Sequence, residues 1–213
     1  MIKIENLNKK YGEKKVFENF SLEIEKGKIT CILGESGCGK TTLLNVLSRL
    51  TDFEGRVDEV NCSLVFQTPN LFPNLTAKQN LLLVSNDLKK IDALSNELSV
   101  ADKLNSYPKH LSGGEAQRIS LIRGIIFDAD LLLMDEPFSS LDLGVKFRTI
   151  TALKKRFKEE KKTVVMVTHD VKEAVEMADR IILLSGGKIV YDNKNLTKKT
   201  ENELFGLLIG TNN

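Results

Sequence analysis

The stretch Gly34-Glu35-Ser36-Gly37-Cys38-Gly39-Lys40-Thr41-Thr42 follows the run Lys28-Ile29-Thr30-Cys31-Ile32-Leu33 and precedes Leu43-Leu44-Asn45-Val46-Leu47. A continuous apolar run is expected of a strand buried on both faces, and the segment after the loop carries helix-like apolar spacing. Between them stands the pattern G-x-x-x-x-G-K-[ST]. Glycines 34, 37 and 39 let the backbone wrap closely around an anion with its N–H groups pointing inward. The helix that follows offers its positive end to the same anion. Lys40 can reach the β- and γ-phosphates of a nucleotide, and the Thr41 hydroxyl can ligate Mg²⁺. Residues 34 to 42, including Glu35, Ser36, Cys38 and Thr42, are therefore the candidate ATP-binding loop. Its place between a strand and a helix makes the motif specific.

Downstream, Leu131-Leu132-Leu133-Met134-Asp135-Glu136-Pro137 reads as a buried strand ending in two carboxylates. Ligands of such sheets bind at the C-terminal edge of the strands, so Asp135 can hold Mg²⁺ there. Glu136 beside it can polarise an attacking water. Hydrophobic residues followed by Asp-Glu are a weak pattern alone and a strong one when coupled to the phosphate loop.

A third segment, Leu111-Ser112-Gly113-Gly114-Glu115-Ala116-Gln117-Arg118, carries a helix cap at Ser112. Its two glycines expose backbone N–H groups, which makes a second helix-terminal anion site. Two such sites are redundant for one nucleotide. This redundancy suggests that Ser112, Gly113, Gly114 and Glu115 face a nucleotide held by a partner chain.

Around these motifs the chain alternates strand-like and helix-like segments, which implies an α/β fold with a mostly parallel sheet. Ile2–Leu7 and Val16–Ile24 read as an N-terminal antiparallel β element, and Gly186-Gly187 as the turn of a final hairpin. Residues 68–124 change character, with a Pro/Asn-rich loop, Leu-rich helical stretches at Ala77–Val84 and Leu88–Leu104, and the helix from Ala116. One domain over residues 1–213 is expected, a phosphate-loop NTPase core with a helical subdomain at about 68–124 inserted in it. The 213 residues, 41% hydrophobic, suffice for a sizeable core. Charges nearly balance, 31 basic against 29 acidic, so no nucleic-acid partner is expected. Cys31, Cys38 and Cys62 lack CxxC spacing, which argues against disulfides and zinc and fits a reducing compartment. No apolar run reaches the 18 or so residues of a membrane span, and no secretory signal is evident.

The loop at 34–42, Leu111–Arg118 and Leu131–Pro137, in this order, resemble the ATP-binding cassette (ABC) ATPases over essentially the whole chain. Leu111–Arg118 resembles that family's signature motif. The resemblance implies ATP hydrolysis with Mg²⁺ and assigns further roles. Tyr11 is similar to the aromatic residue that stacks on adenine. Gln67 is similar to the glutamine that contacts Mg²⁺ and the attacking water, and His169 to the switch histidine on the γ-phosphate. Ser139-Ser140-Leu141-Asp142 resembles the loop linking two active sites, with Asp142 at the dimer contact. Implied partners are a second ABC ATPase subunit in a homodimer, separate transmembrane permease subunits and, for an importer, an extracytoplasmic substrate-binding protein. The implied location is cytoplasmic, peripheral on the inner face of the membrane.

Residues 66–80 and 135–143 resemble importer subunits of the nitrate, sulfonate and taurine type, whereas LSGGEAQR also occurs in export-type subunits. Import is favoured, with export the alternative. A soluble ABC ATPase acting on the ribosome or DNA is the rival from another class, but such proteins usually carry two cassettes or large insertions. A small-molecule kinase would share the loop but gives no reason for the signature. Two spacings depart from the family: Lys40 to Gln67 is only 27 residues, and Gln67 to Leu111 is also short. A trimmed β-hairpin or loop and a reduced helical subdomain are expected, with only two or three short helices over residues 68–108. After the last hairpin only a short helix at residues 200–210 is expected, with no C-terminal regulatory domain.

Lys40→Ala should nearly abolish ATP binding, because charge-assisted contacts to phosphate are the strong ones and Lys40 is the loop's only cationic side chain. Micromolar affinity retained in calorimetry would remove the loop from the nucleotide site.

Overall fold

The computed structural model describes residues 1–197 and 199–210. In chain order the elements are β1 (Ile2–Tyr11), β2 (Lys14–Ile24), β3 (Ile29–Gly34), α1 (Lys40–Leu47), β4 (Glu54–Val57), β5 (Cys62–Val65), α2 (Ala77–Leu82) and α3 (Leu88–Glu97). They continue with α4 (Gly113–Ile126), β6 (Leu131–Asp135), α5 (Leu143–Glu159), β7 (Thr163–Thr168), α6 (Val171–Met177), β8 (Arg180–Ser185), β9 (Lys188–Asn193) and α7 (Thr200–Gly210).

The strands form two sheets. Six lie in the order β5-β6-β7-β3-β8-β9, parallel except for β9, which returns antiparallel from β8. Gly186 and Gly187 turn that hairpin with φ of 53° and 74°, a twist that suits the flanking strands. The smaller sheet, order β2-β1-β4, is antiparallel. The expected α/β class, mostly parallel sheet and N-terminal antiparallel element are all present.

Alternation along the strands sorts the core into two layers. Cys31, Leu33, Leu132, Met134, Val164, Met166, Ile181 and Leu183 face the side covered by α2 to α6. Their neighbours Ile32, Leu131, Leu133, Val165, Val167, Ile182 and Leu184 face α1 and the small sheet. Both faces are covered, which is why these strands read as unbroken apolar runs.

Differences from the sequence reading have local causes. β4, in the segment expected to be trimmed, has no apolar periodicity and buries only Val57; it exists because it pairs with the edge of β1. The helix expected over Leu88–Leu104 stops at Glu97. Ser99 takes a left-handed φ of 55°, and the chain resumes with one 3₁₀ turn at Ala101–Lys103. Residues 68–112 hold only α2, α3 and two 3₁₀ turns, and they share one core with the sheet: Leu81, Ile91 and Leu94 belong to the same cluster as Leu132 and Met166. Fully buried Asn80 ties down the loop before α2. Its amide donates to the carbonyls of Phe72, Leu75 and Thr76 and accepts from the Phe72 N–H. Arg156 of α5 clamps Glu97 at the end of α3 through Nε (2.9 Å) and a terminal nitrogen (2.5 Å).

α4 lies so close to β5 that a Cβ on Gly124 would stand 2.4 Å from Val65 Cγ2 and 3.5 Å from Leu132 Cδ1. A stiff β-branched neighbour cannot swing away. Gly124→Val should therefore cost about 1–3 kcal/mol by overpacking, read as a lower urea midpoint. A midpoint equal to the parent's would show that α4 can lift from the sheet freely.

Candidate functional site

β3 delivers the chain to the phosphate loop, and α1 carries it away. Gly39, the residue before α1, has φ of 111°, and a Cβ there would be 2.8 Å from the Phe17 ring. Only glycine fits both demands. Lys40 opens the helix with a buried side chain that curls back into the loop. Its Nζ donates to the carbonyls of Gly34 (2.6 Å) and Glu35 (2.9 Å). Cys38 is buried and its thiol is pushed up by that burial, so it behaves as a filler and not as a nucleophile.

Asp135 ends β6 beside this loop. Burial pushes its carboxyl above the usual carboxylate range, while a hydrogen bond with the Thr41 hydroxyl and the charge of Lys40 pull the other way. A divalent cation would favour the charged form in the same manner. Among the described residues no three His, Cys, Asp or Glu side chains gather as a metal cluster. Magnesium, however, is usually held by one or two carboxylates together with nucleotide phosphates and water. The hard oxygen donors of Thr41 and Asp135 at the phosphate loop fit such an ion arriving with its nucleotide.

Glu136 follows with a left-handed φ of 43°, an unfavourable state for a residue with a Cβ, costing on the order of 1–3 kcal/mol. Its N–H donates to the Val167 carbonyl at 3.0 Å, which fixes the turn against β7. The turn aims the carboxylate at two groups from other parts of the chain. Gln67 Nε2 donates to Glu136 Oε2 at 3.3 Å, and His169 Nδ1 lies 3.0 Å from the same oxygen. Residues 67, 136 and 169 thus meet at one atom.

Each of these groups is braced. Gln117 of α4, fully buried, donates to the carbonyl of Phe66, and Arg123 donates to the carbonyls of Pro69 and Asn70. α4 therefore holds Gln67 from both sides. Below His169, Asp170 caps α6, and Thr168 Oγ1 donates to Glu173 Oε2 at 2.8 Å. Lys146 of α5 reaches Glu173 (2.6 Å) and Asp170 (3.5 Å), tying the start of α5 to the turn that carries His169.

A cleft of 570 Å³ opens over the phosphate loop. Of the sequence-predicted residues, Tyr11, Ser36, Gly37, Gly39, Lys40, Thr41, Thr42, Gln67, Glu136 and His169 line it. Gly34, Glu35, Cys38 and Asp135 support it from outside the lining. Tyr11 is exposed at the end of β1, with Lys9 Nζ 4.6 Å from its ring centroid. Ser112, Gly113, Gly114, Glu115 and Asp142 do not line the cleft. Ser112 and Glu115 cap α4 reciprocally: Ser112 Oγ accepts from the Glu115 N–H, and Glu115 Oε2 from the Ser112 N–H. Gly114 abuts the loop containing Asp142, since a Cβ on it would lie 3.3 Å from Leu141 Cδ2 and from the Ser140 carbonyl. The signature and the Ser139–Asp142 loop thus form one exposed surface.

Sequence reasoning missed Lys14 and Val16, which line the cleft, and the braces Gln117, Arg123, Lys146 and Glu173. Only Asp170 carried a readable signal, as a helix cap three residues before an acidic residue.

The family profile for ABC transporters matches residues 17–139. The aliphatic sulfonates import ATP-binding protein SsuB 2 of Pseudomonas savastanoi pv. phaseolicola is 39% identical over 197 residues, covering 90% of this chain and 73% of that protein. The Fe(3+) ions import ATP-binding protein FbpC of Fusobacterium nucleatum subsp. nucleatum is 35% identical, covering 100% of this chain and 63% of that protein. Among solved structures, the dimeric structure of MJ0796, a bacterial ABC transporter cassette, matches with a TM-score of 0.82 at 31% identity, covering 91% of this chain and 98% of that one. A dimeric post-hydrolysis state of the same cassette, bound to ADP and Pi, matches with a TM-score of 0.81 at 30% identity. Motif order, fold and relatives agree, and the chain belongs to the ABC transporter family of ATP-binding cassette ATPases.

Proposed function

We propose that this chain is the ATP-hydrolysing subunit of a membrane importer, working as a dimer that closes around two ATP molecules. The observation that carries the catalytic part is the meeting of Gln67, Glu136 and His169 at one carboxylate oxygen beside the phosphate loop. In this reading Tyr11 stacks on the base, and the loop N–H groups and Lys40 hold the phosphates. Thr41, Asp135 and Gln67 would hold Mg²⁺, which neutralises charge on the phosphate oxygens when bound. Glu136 accepts a proton from water as the water oxygen attacks the γ-phosphorus, and the bond to the ADP oxygen breaks. His169 and Gln67 hold the carboxylate and the attacked phosphate in line.

Import is supported by the names of the relatives, which are ATP-binding proteins of aliphatic sulfonate and Fe(3+) import. Among the described residues no helix is long and apolar enough to cross a membrane. In the proposed importer, separate permease subunits supply the path, and this chain sits peripherally on the cytoplasmic face. A substrate-binding protein outside the membrane completes the proposed importer. Residues 68–124 are proposed as the helical subdomain, reduced to α2, α3 and α4.

Glu136→Gln keeps shape and removes the base. ATP hydrolysis should fall by about 10²–10⁴-fold, while ATP affinity in calorimetry stays near the parent value. His169→Ala should lower turnover equally or more mildly. Phosphate release by Glu136→Gln at the parent rate would remove Glu136 from the catalytic role.

A further inference from the structure

The cleft has a cation that no motif announces. Lys14 opens β2 directly opposite Tyr11, with Gly12 and Glu13 forming the turn between them. Its side chain is exposed and lines the cleft alongside Ser36, Gly37 and Lys40. The ammonium lies 4.0 Å from the point where a Cβ on Gly37 would stand, and so over the middle of the phosphate loop. Among the described residues it makes no hydrogen bond or ion pair. Two neighbouring lysines are engaged elsewhere: Lys9 donates to the Asp52 carbonyl and covers the Tyr11 ring, and Lys15 pairs with Glu18 at 2.7 Å; Lys10 does not line the cleft.

We propose that Lys14 is a nucleotide-binding residue whose ammonium holds the polyphosphate from outside the loop, opposite Lys40. The β1–β2 hairpin then grips the nucleotide at two points, the base through Tyr11 and the phosphates through Lys14. The geometry favours this over a merely solvated lysine. Register places Lys14 beside the base-stacking position, and the loop below it is built from glycines that leave the approach open. Its three N–H donors suit a polyanion, and a charge-assisted contact to phosphate outweighs a neutral one. Because Lys14 lies on the small sheet and Lys40 opens α1 at the end of the loop that β3 feeds, a bound polyphosphate would tie the small sheet to the phosphate loop of the large one. The inference rests on the reading of the cleft as the ATP site.

The experiment measures ATP affinity by calorimetry in the Glu136→Gln background, so that ATP is not consumed. Lys14→Gln should weaken ATP binding roughly fivefold to thirtyfold. Lys14→Arg should stay close to the parent. Lys15→Gln, whose side chain does not line the cleft, should bind ATP as the parent does. Parent-like affinity in Lys14→Gln would overturn the proposal. So would an equal loss in Lys14→Gln and Lys15→Gln, since that marks diffuse surface charge and not a placed contact. Lys40→Ala in the same series separates the two readings: if it too binds like the parent, the cleft itself is not the ATP site.

Discussion

The parallel register of β6, β7 and β3 decides where each reactive group comes to rest. Asp135 pairs with Val167 and Leu33 with Thr168, so the three strands end within a residue of one another. Their next residues are the phosphate loop, Glu136 and His169. Backbone hydrogen bonds, and the burial of alternate side chains on both faces, hold that register. A slip by one residue would turn each strand's apolar set to the wrong layer. The reactive groups therefore gather at one edge of the sheet, Asp135 at a strand end, Lys40 and Thr41 at the start of α1, and Glu136 and His169 just past their strands.

On this edge the chain places one strained feature. Glu136 adopts a left-handed backbone, and the carboxylate it projects is held by Gln67 and His169. Neither partner is anchored by its own strand alone. Gln67 depends on α4, through Gln117 and Arg123, and α4 is capped by Ser112. His169 sits on a turn braced by Lys146 of α5, and α5 begins just after Asp142. A continuous path of packed and hydrogen-bonded groups thus runs from the exposed signature surface to the carboxylate in the cleft. In the proposed dimer that surface meets the partner's nucleotide. Occupancy of one site could then bias the geometry of the other through two helices.

Much of this was readable in the sequence, because the groups that meet phosphate need special backbone or charge and leave a local pattern. Glycines around Lys40, a strand ending in Asp135-Glu136 and a capped helix at Ser112 are signals of this kind. The alternation of strands and helices gave the sheet its class. What escaped has no local pattern. β4 exists only because β1 has an open edge. Gln117 looks like any helix polar residue until the Phe66 carbonyl is placed against it, and Asn80 reads as a surface amide until the loop folds over it. Lys14 lies in a lysine-rich hairpin, and only the register with Tyr11 singles it out. These are long-range pairings, and a single sequence does not encode distance.

The central claim is that one nucleotide needs two chains: the phosphate loop of one, and the surface at Ser112, Gly113 and Gly114 of the other. The most direct measurement is mass by size-exclusion chromatography with light scattering, in the Glu136→Gln background. With ATP that variant should run as a dimer, and without nucleotide as a monomer. Adding Ser112→Arg places a bulky cation on the signature surface while leaving the cleft lining untouched. The account predicts that the isolated subunit then keeps its ATP affinity and loses the ATP-dependent dimer. Loss of ATP binding by the monomer would contradict it, because the signature would then serve the nucleotide of its own chain.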